Sequence, residues 1–485
     1  MDLAATLESL TKIVNQVDDL VWGIPLIGSI LATGIVLSLM LRFRHILHLG
    51  SAFRYVFHQG EGHHGEVSAF GALCTALSAT IGTGNIVGVA TAITTGGPGA
   101  LFWMEVAALF GMATKYAEGL LAVKYREVAP DGRVLGGPFY YIERGLGRKW
   151  KPLAVLFAAF GICAGLFGTG TITQIHGIAS AVQRFFDPSF NPSDPTTGIQ
   201  ILGNTYSLSV MIAGAAVTLC VGLVVIGGLK RIAKVSMVVV PFMAVSYVLV
   251  CLLVMVGNFA KIPDAICLIV KAAFNPAAVT GGAVGTLFIA LQKGVARGIF
   301  SNEAGLGSEP IAAAAAKTHE PARQGLVSMT GTFLDTIVVC SMTGLALTVT
   351  GQGFGEEALQ GAAATMQAFR TGIPFLPWAV TDFVLMIALV LFGFTTILGW
   401  NYYSERCLEY LTGGDLRPVR VYRWLYIAAV FIGPYMTISA VWGIADIVNG
   451  LMAIPNMIAL LALSGVIVVE TRSYFDRLRR GELAD

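Results

Sequence analysis

The chain has 485 residues, 55% of them hydrophobic and only 12% charged, with a formal net charge of +2. That is about half the charge of an ordinary soluble domain (about 25%), and so much apolar surface excludes a water-soluble protein of this length. No Lys/Arg run has the density of a nucleic-acid patch, so the expected surroundings are a lipid bilayer, with no nucleic acid and no evident obligatory protein partner. The seven cysteines are scattered without a C-x-x-C and are expected to be small buried side chains. The start MDLAATLESL carries Asp2 and Glu8 but no early basic residue, which argues against a cleaved signal peptide.

A hydrocarbon core is crossed by about 20 apolar residues in helical form. Eleven spans are predicted, over residues 22–41, 68–93, 98–123, 152–182, 205–227, 235–257, 283–315, 326–350, 379–404, 424–445 and 449–470. They form one all-α polytopic transmembrane domain, 1–485. With the N-terminus outside, 23 of the 31 Lys and Arg residues fall on cytoplasmic segments and 5 outside, the remaining Lys115, Lys293 and Arg297 lying within spans. Positive charge is retained on the cytoplasmic side, so the N-terminus is expected outside and the C-terminus in the cytoplasm of a cell inner (plasma) membrane.

Between the first two spans lie His45, His48, His58, His63 and His64. No Cys or H-E-x-x-H accompanies them, and a solvated connector is the expectation. The second span is interrupted by Gly82, Thr83, Gly84 and Asn85, and the seventh by Ser301, Asn302, Glu303, Gly305 and Gly307. An unwound turn exposes amides and carbonyls that lipid cannot satisfy, so it belongs beside a polar cavity; close helix packing is the alternative for a single Gly pair. The second span opens one block of five, 68–257, and the seventh opens another of opposite direction, 283–470. That is the order of an inverted repeat with a broken helix at the head of each half, leaving 22–41 as an extra N-terminal helix. Half-helix N-termini offer N–H groups to a carboxylate, and C-termini offer carbonyls to a cation or an ammonium group. A zwitterionic amino acid travelling with a metal cation uses both.

Charges within spans need partners. Lys293 and Arg297 share a helix face with no anion of their own on it, and the candidate partners are Asp335 in the eighth span and Glu105 in the third. An Arg297 pair with one of these is expected as a gate, with a static structural ion pair as the alternative. Glu303 has three readings: substrate ammonium, cation, or a brace for the turn. In the ninth span Thr395 and Thr396 supply hydroxyl oxygens suited to Na⁺, a hard cation, unless each simply bonds its own i−4 carbonyl. Gln174 in the fourth span is a candidate substrate contact, with helix–helix bonding as the alternative.

The motifs GEVSAFGALCTALSATIGTGNIVGVATAI, GGPGALFWMEVAALFGMATKYAE, GGPFYYIERGLG and KGVARGIFSNEAGLGSEPIAAAAA resemble the alanine or glycine:cation symporter family, also called the sodium:alanine symporter family. The resemblance spans nearly the whole chain. It implies a leucine-transporter-like 5+5 inverted repeat with one extra N-terminal helix, and import of alanine, glycine or glutamine with Na⁺, less clearly with H⁺. Carried over by position, the turn at Gly82 would hold the substrate carboxylate on the Thr83 and Gly84 amides. The Thr80 carbonyl, with Phe300, Ser301, Asn302 and Glu303, would lie at the ammonium. The Ser78 and Ile81 carbonyls would complete a Na⁺ site with Thr395 and Thr396, and Asn85 falls where some relatives hold a further sodium. Gln174 and Trp400 would close the pocket. The chain departs from the family pattern at Glu105, where Trp is usual, at Phe139, where Met is common, and at Glu309, where Ala is common.

Overall fold

The computed structural model describes residues 11–483 except 15, 19, 58–64, 193, 202–203, 275–286, 356–357 and 437. His58, His63 and His64 lie outside the described residues, as does the start of the predicted 283–315 span. Among the described residues, six helices are long and apolar enough to cross a membrane, and two further pairs qualify as bent spans. The helices are α1 (Ile24–Met40), α2 (Leu49–Phe57), α3 (Ala69–Thr80), α4 (Val87–Gly96), α5 (Gly99–Lys124), α6 (Pro138–Gly145), α7 (Lys151–Phe167), α8 (Ile172–Phe186), α9 (Leu208–Val225) and α10 (Gly228–Gly257). They continue with α11 (Ile262–Phe274), α12 (Leu287–Asn302), α13 (Pro310–Ala313), α14 (Pro321–Thr332), α15 (Ser341–Val349), α16 (Gly361–Gly372), α17 (Trp378–Leu411), α18 (Leu416–Ile432), α19 (Ile438–Ala462) and α20 (Ser464–Arg479). Two small antiparallel ribbons, Glu127–Val128 with Val134–Leu135 and Ile199–Ile201 with Asn204–Tyr206, lie in connecting segments.

The predicted second span is broken. Ser68 caps α3 by accepting the Gly71 N–H at 3.0 Å, and the helix stops at Ile81. Gly82 is extended, Thr83–Asn85 makes one 3₁₀ turn, and the axis bends by 63° into α4. The Asn85 carboxamide bridges the break by accepting the Gly82 N–H at 2.8 Å. The seventh span is also broken, but further along than its polar residues suggest. Ser301 and Asn302 complete α12, and the unwound stretch runs from Glu303 to Glu309 before α13. Glu303, Gly305 and Gly307 have φ of 56°, 94° and 81°, values that L side chains avoid and that take this segment out of the helix.

Three boundaries differ from those predicted. The 152–182 span is two helices, α7 and α8, parted at Gly168–Thr171, where Tyr426 donates to the Gly170 carbonyl at 2.8 Å. The 326–350 span carries a π-helical stretch, Phe333–Cys340, between α14 and α15; an extra residue per turn re-aims the side chains that follow it and is frequent at functional sites. The 424–445 and 449–470 spans are instead α18 and α19, divided at Gly433–Tyr435. Pro434, which has no N–H to continue a helix, sits in the division, while apolar residues run through it on both sides and hide it from a hydropathy reading. The last helix, α20, leaves α19 at 59°.

Helix α5 lies at the centre, packed on α1, α12 and α14, and α17 packs on α3, α7, α8 and α10. Both breaks therefore sit where α5 and α17 meet the other helices, with their polar groups turned inward.

Candidate functional site

The two breaks meet at Asp335, in the π-helical stretch. Its Oδ1 accepts from Asn85 Nδ2 at 2.7 Å, and its Oδ2 accepts from Ser301 Oγ at 2.9 Å and Thr336 Oγ1 at 2.8 Å. Asn302 Nδ2 donates to Thr336 Oγ1 at 3.0 Å, and the Thr343 hydroxyl to the Asn85 carbonyl at 2.8 Å. One buried carboxylate thus ties the 3₁₀ turn after α3 to the last turn of α12. Pairing both of its oxygens removes the penalty of about 1–3 kcal/mol that an unmade bond at a buried polar group carries.

The expected gate pair is absent among the described residues. Arg297 forms no ion pair with Asp335 or Glu105; its guanidinium lies over the Phe300 ring, 5.4 Å from the centroid. Asp335 is already filled by three neutral donors. Glu105 carries two buried oxygens without a hydrogen-bond partner, and Lys293 Cβ lies beside Gly96 at the end of α4, 3.3 Å from where a methyl on that glycine would fall.

Around the first break, Gln174 of α8 turns its amide oxygen onto Thr83. It accepts from Thr83 Oγ1 at 3.0 Å and from the Thr83 N–H at 3.4 Å. The amide expected to meet a substrate carboxylate is therefore covered by a side-chain acceptor. Gly84 faces Phe300 and Ser301: a methyl placed on it would lie 3.8 Å from Phe300 Cδ1 and 3.9 Å from Ser301 Cα. Thr80, Thr83, Gln174, Ser301, Asn302, Glu303 and Trp400 are all buried. Trp400 Nε1 donates to Glu303 Oε1 at 2.9 Å, and Ser308 donates to Glu303 Oε2, so Glu303 braces the turn that follows α12.

The proposed cation ligands lie where α17 crosses the end of α3. A methyl on Gly399 would fall 2.8 Å from Ser78 Oγ and 2.7 Å from Ala79 N, and one on Gly82 would fall 2.6 Å from Thr396 Oγ1. Thr396 donates to the Phe392 carbonyl at 2.9 Å, Thr395 lies 3.1 Å from the Leu391 and Phe392 carbonyls, and Ser78 donates to the Thr75 carbonyl at 2.7 Å. Bonding to their own helix is thus present, yet it does not compete with a cation. A hydroxyl that has given its proton to a carbonyl keeps lone pairs that can only accept. With the Ile81 carbonyl released by the break, these neutral oxygens suit a hard monovalent ion.

Sequence reasoning placed Lys115 within a span but gave it no role, and it missed Glu118 and Asn456. Lys115 of α5 pairs with Glu309 at 2.7 Å, and Asn456 of α19 donates to Glu118 Oε1 at 2.6 Å and to the Gly305 carbonyl at 2.9 Å. The available signal was a Lys and a Glu three residues apart inside one apolar span.

The model of the sodium:alanine symporter family matches residues 7–485. An uncharacterized transporter of Haemophilus influenzae is 52% identical over 472 residues, covering 97% of each chain. The sodium/alanine symporter AgcS of Methanococcus maripaludis is 46% identical over 477 residues, covering 97% of this chain and 98% of that protein. Among solved structures, the crystal structure of MhsT in complex with L-phenylalanine is similar with a TM-score of 0.54 at 12% identity, covering 84% of this chain and 99% of that one. The chain belongs to the sodium:alanine symporter family: it is a multi-pass membrane transporter, not an enzyme, and it shares the fold of MhsT.

Proposed function

We propose that the chain imports a small neutral amino acid, alanine or glycine and by extension glutamine, together with Na⁺, by alternating access. The observation that carries this reading is the convergence of two broken helices on one buried polar site, with Gln174 and Trp400 walling it. A substrate carboxylate would displace the Gln174 oxygen from the Thr83 amide, with the Gly84 amide beside it. The ammonium would lie at the Thr80 carbonyl, Gly82, Phe300, Ser301, Asn302 and Glu303. Trp400 and Gln174 would close the pocket over the side chain. Na⁺ would sit between α3 and α17, on the Ser78 and Ile81 carbonyls and the Thr395 and Thr396 hydroxyls. Asn85 would be available to a further sodium once released from Asp335.

In this reading α1 is the extra helix, α3 to α10 form the first five-helix repeat, and α12 to α19 the inverted second, giving eleven crossings with the N-terminus outside an inner membrane. Na⁺ binding would fix the α3 break and so raise affinity for the amino acid. Movement of α3–α4 and α12–α13 against the remaining helices would then release both inside. The test is a panel of labelled alanine, glycine and glutamine presented to proteoliposomes with and without an inward Na⁺ gradient. Uptake of alanine or glycine that rises with the gradient supports the reading. Uptake equal in both conditions removes Na⁺, and indifference to all three amino acids removes the substrate class.

A further inference from the structure

The turn from Glu303 to Glu309 rests on charges of which only Glu303 also belongs to the amino acid position. Lys115 Nζ lies 2.7 Å from Glu309 Oε2, with side chains 0% and 3% exposed. Glu118, one turn along α5, accepts at Oε1 from Asn456 Nδ2 at 2.6 Å and from the Gly305 N–H at 3.2 Å. Its Oε2 is buried and has no donor. Glu303, on the same turn, receives Trp400 and Ser308. Three buried carboxylates therefore share one ammonium, which pairs directly with Glu309, in a region with almost no exposure.

The groups that face this cluster from neighbouring elements do not balance it. They are Tyr141 of α6, which donates to Asn456 Oδ1, Tyr403 of α17, whose buried hydroxyl has no partner, and Asp335 of the π-helical stretch. The cation acting on Glu118 and Glu303 is Lys115 itself. Ionised throughout, the cluster would carry two uncompensated negative charges, and each such ion away from water costs several kcal/mol. A metal ion is a poor remedy. The Glu303 oxygens and Glu118 Oε1 are occupied by N–H and O–H donors, Glu309 by an ammonium, and no acid, His or Cys group suited to a metal occurs among the described residues. Protons remain.

We propose that Lys115, Glu118, Glu303 and Glu309 form a proton-binding site, that Glu118 carries the exchangeable proton on Oε2, and that it exchanges with the cytoplasm when the 303–309 turn moves. The link to transport is mechanical: Glu118 Oε1 is bonded to the Gly305 N–H, inside that turn, so moving the turn changes the donors Glu118 sees. On opening, the Glu118 carboxylic acid gives its proton to water, forming hydronium, and the carboxylate left behind is held by Lys115. On closure the reverse step restores the neutral acid. This inference rests on the alternating-access reading and on the orientation given by the positive charges.

Infrared spectra of the purified protein at neutral pH test the site without any substrate. The wild type should show the carbonyl stretch of neutral carboxylic acids, and Glu118→Gln should lose the part that Glu118 contributes. Glu309→Gln, which leaves Lys115 fewer carboxylates to balance, should weaken it; this variant decides the matter if Glu118→Gln does not fold. A wild type without the band, or a band unchanged in the folded variants, overturns the proposal. Release and rebinding on one side move no net proton, so the transport link is read from the dependence of Na⁺-driven alanine uptake into proteoliposomes on pH at the cytoplasmic face. Uptake should vary with that pH in the wild type but not in Glu118→Gln, which should still bind alanine with Na⁺. Wild-type uptake that ignores that pH, or an unchanged pH profile in Glu118→Gln, refutes the link. If no amino acid enters at all, the symport reading fails while the infrared result still decides the proton site.

Discussion

Replacing Gly82 by alanine places a methyl 2.6 Å from Thr396 Oγ1, with the next atoms, Thr396 Cβ and Gln174 Oε1, at an ordinary 3.6 Å. The backbone of Gly82, φ −134° and ψ −161°, is extended and open to alanine, so the effect is steric and falls on one oxygen. Overpacking of this kind costs about 1–3 kcal/mol. Thr396→Ala alone removes a hydroxyl together with its bond to the Phe392 carbonyl, a loss of about 0.5–1.5 kcal/mol. The double variant deletes the clashing atom, so it should recover most of what Gly82→Ala loses, a non-additivity of about 1–3 kcal/mol. Sodium binding should behave differently, because the single Gly82 variant displaces Oγ1 and the other two lack it. Thermal unfolding in detergent with and without Na⁺ separates the two effects. A ligand at a hundredfold its dissociation constant stabilises by about 2.7 kcal/mol, so the wild type should show a sodium-dependent rise that all three variants lose. A double variant no more stable than Gly82→Ala refutes the steric reasoning. A Thr396→Ala protein with the full sodium shift refutes the placement of the ion.

Three further substitutions bear on the site. Gln174→Ala removes the amide that, once displaced from Thr83, would close over the bound amino acid, and should weaken alanine binding by about tenfold or more, from a loss of about 1–3 kcal/mol; wild-type affinity in a binding titration would unseat Gln174. Trp400→Phe keeps an aromatic ring but removes the N–H bonded to Glu303 Oε1, a bond of about 1.5–3 kcal/mol if the acid is charged. It should lower the maximal uptake rate, and an unchanged rate would dissociate that bracing from transport. Asp335→Asn should lower the melting temperature, since one amide oxygen cannot serve Asn85, Ser301 and Thr336 together. Exchanging the charges of Arg297 and Asp335 should rescue neither single variant; recovery of uptake in the double exchange would restore the pairing that the structure lacks.

Both broken spans are legible in the sequence because a Gly-rich polar run inside an apolar stretch is hard to reconcile with an unbroken helix in lipid. The similar signature at Gly168–Thr171 is masked, since the apolar residues on each side are continuous enough to imply one long helix. The division at Gly433–Tyr435 is hidden in the same way. Local composition does not find the partners. Charge alone matches Arg297 to acids, whereas its position on α12 puts it over Phe300. Asp335, expected to face a cation, serves neutral donors from both breaks. Lys115 and Glu309 meet only because α5 passes behind the unwound turn, a fact of packing that neither span contains. The hydroxyls of Thr395 and Thr396 bond their own helix as the simpler alternative required, and remain able to accept an ion.

The central claim is that one polar site couples a small amino acid to Na⁺. Its most direct test is simultaneous counting of radiolabelled Na⁺ and radiolabelled alanine entering proteoliposomes that hold the purified chain. The account predicts that each flux requires the other and that they rise in a fixed ratio as either is increased. Alanine entry that proceeds unchanged when Na⁺ is replaced by an inert cation would contradict it.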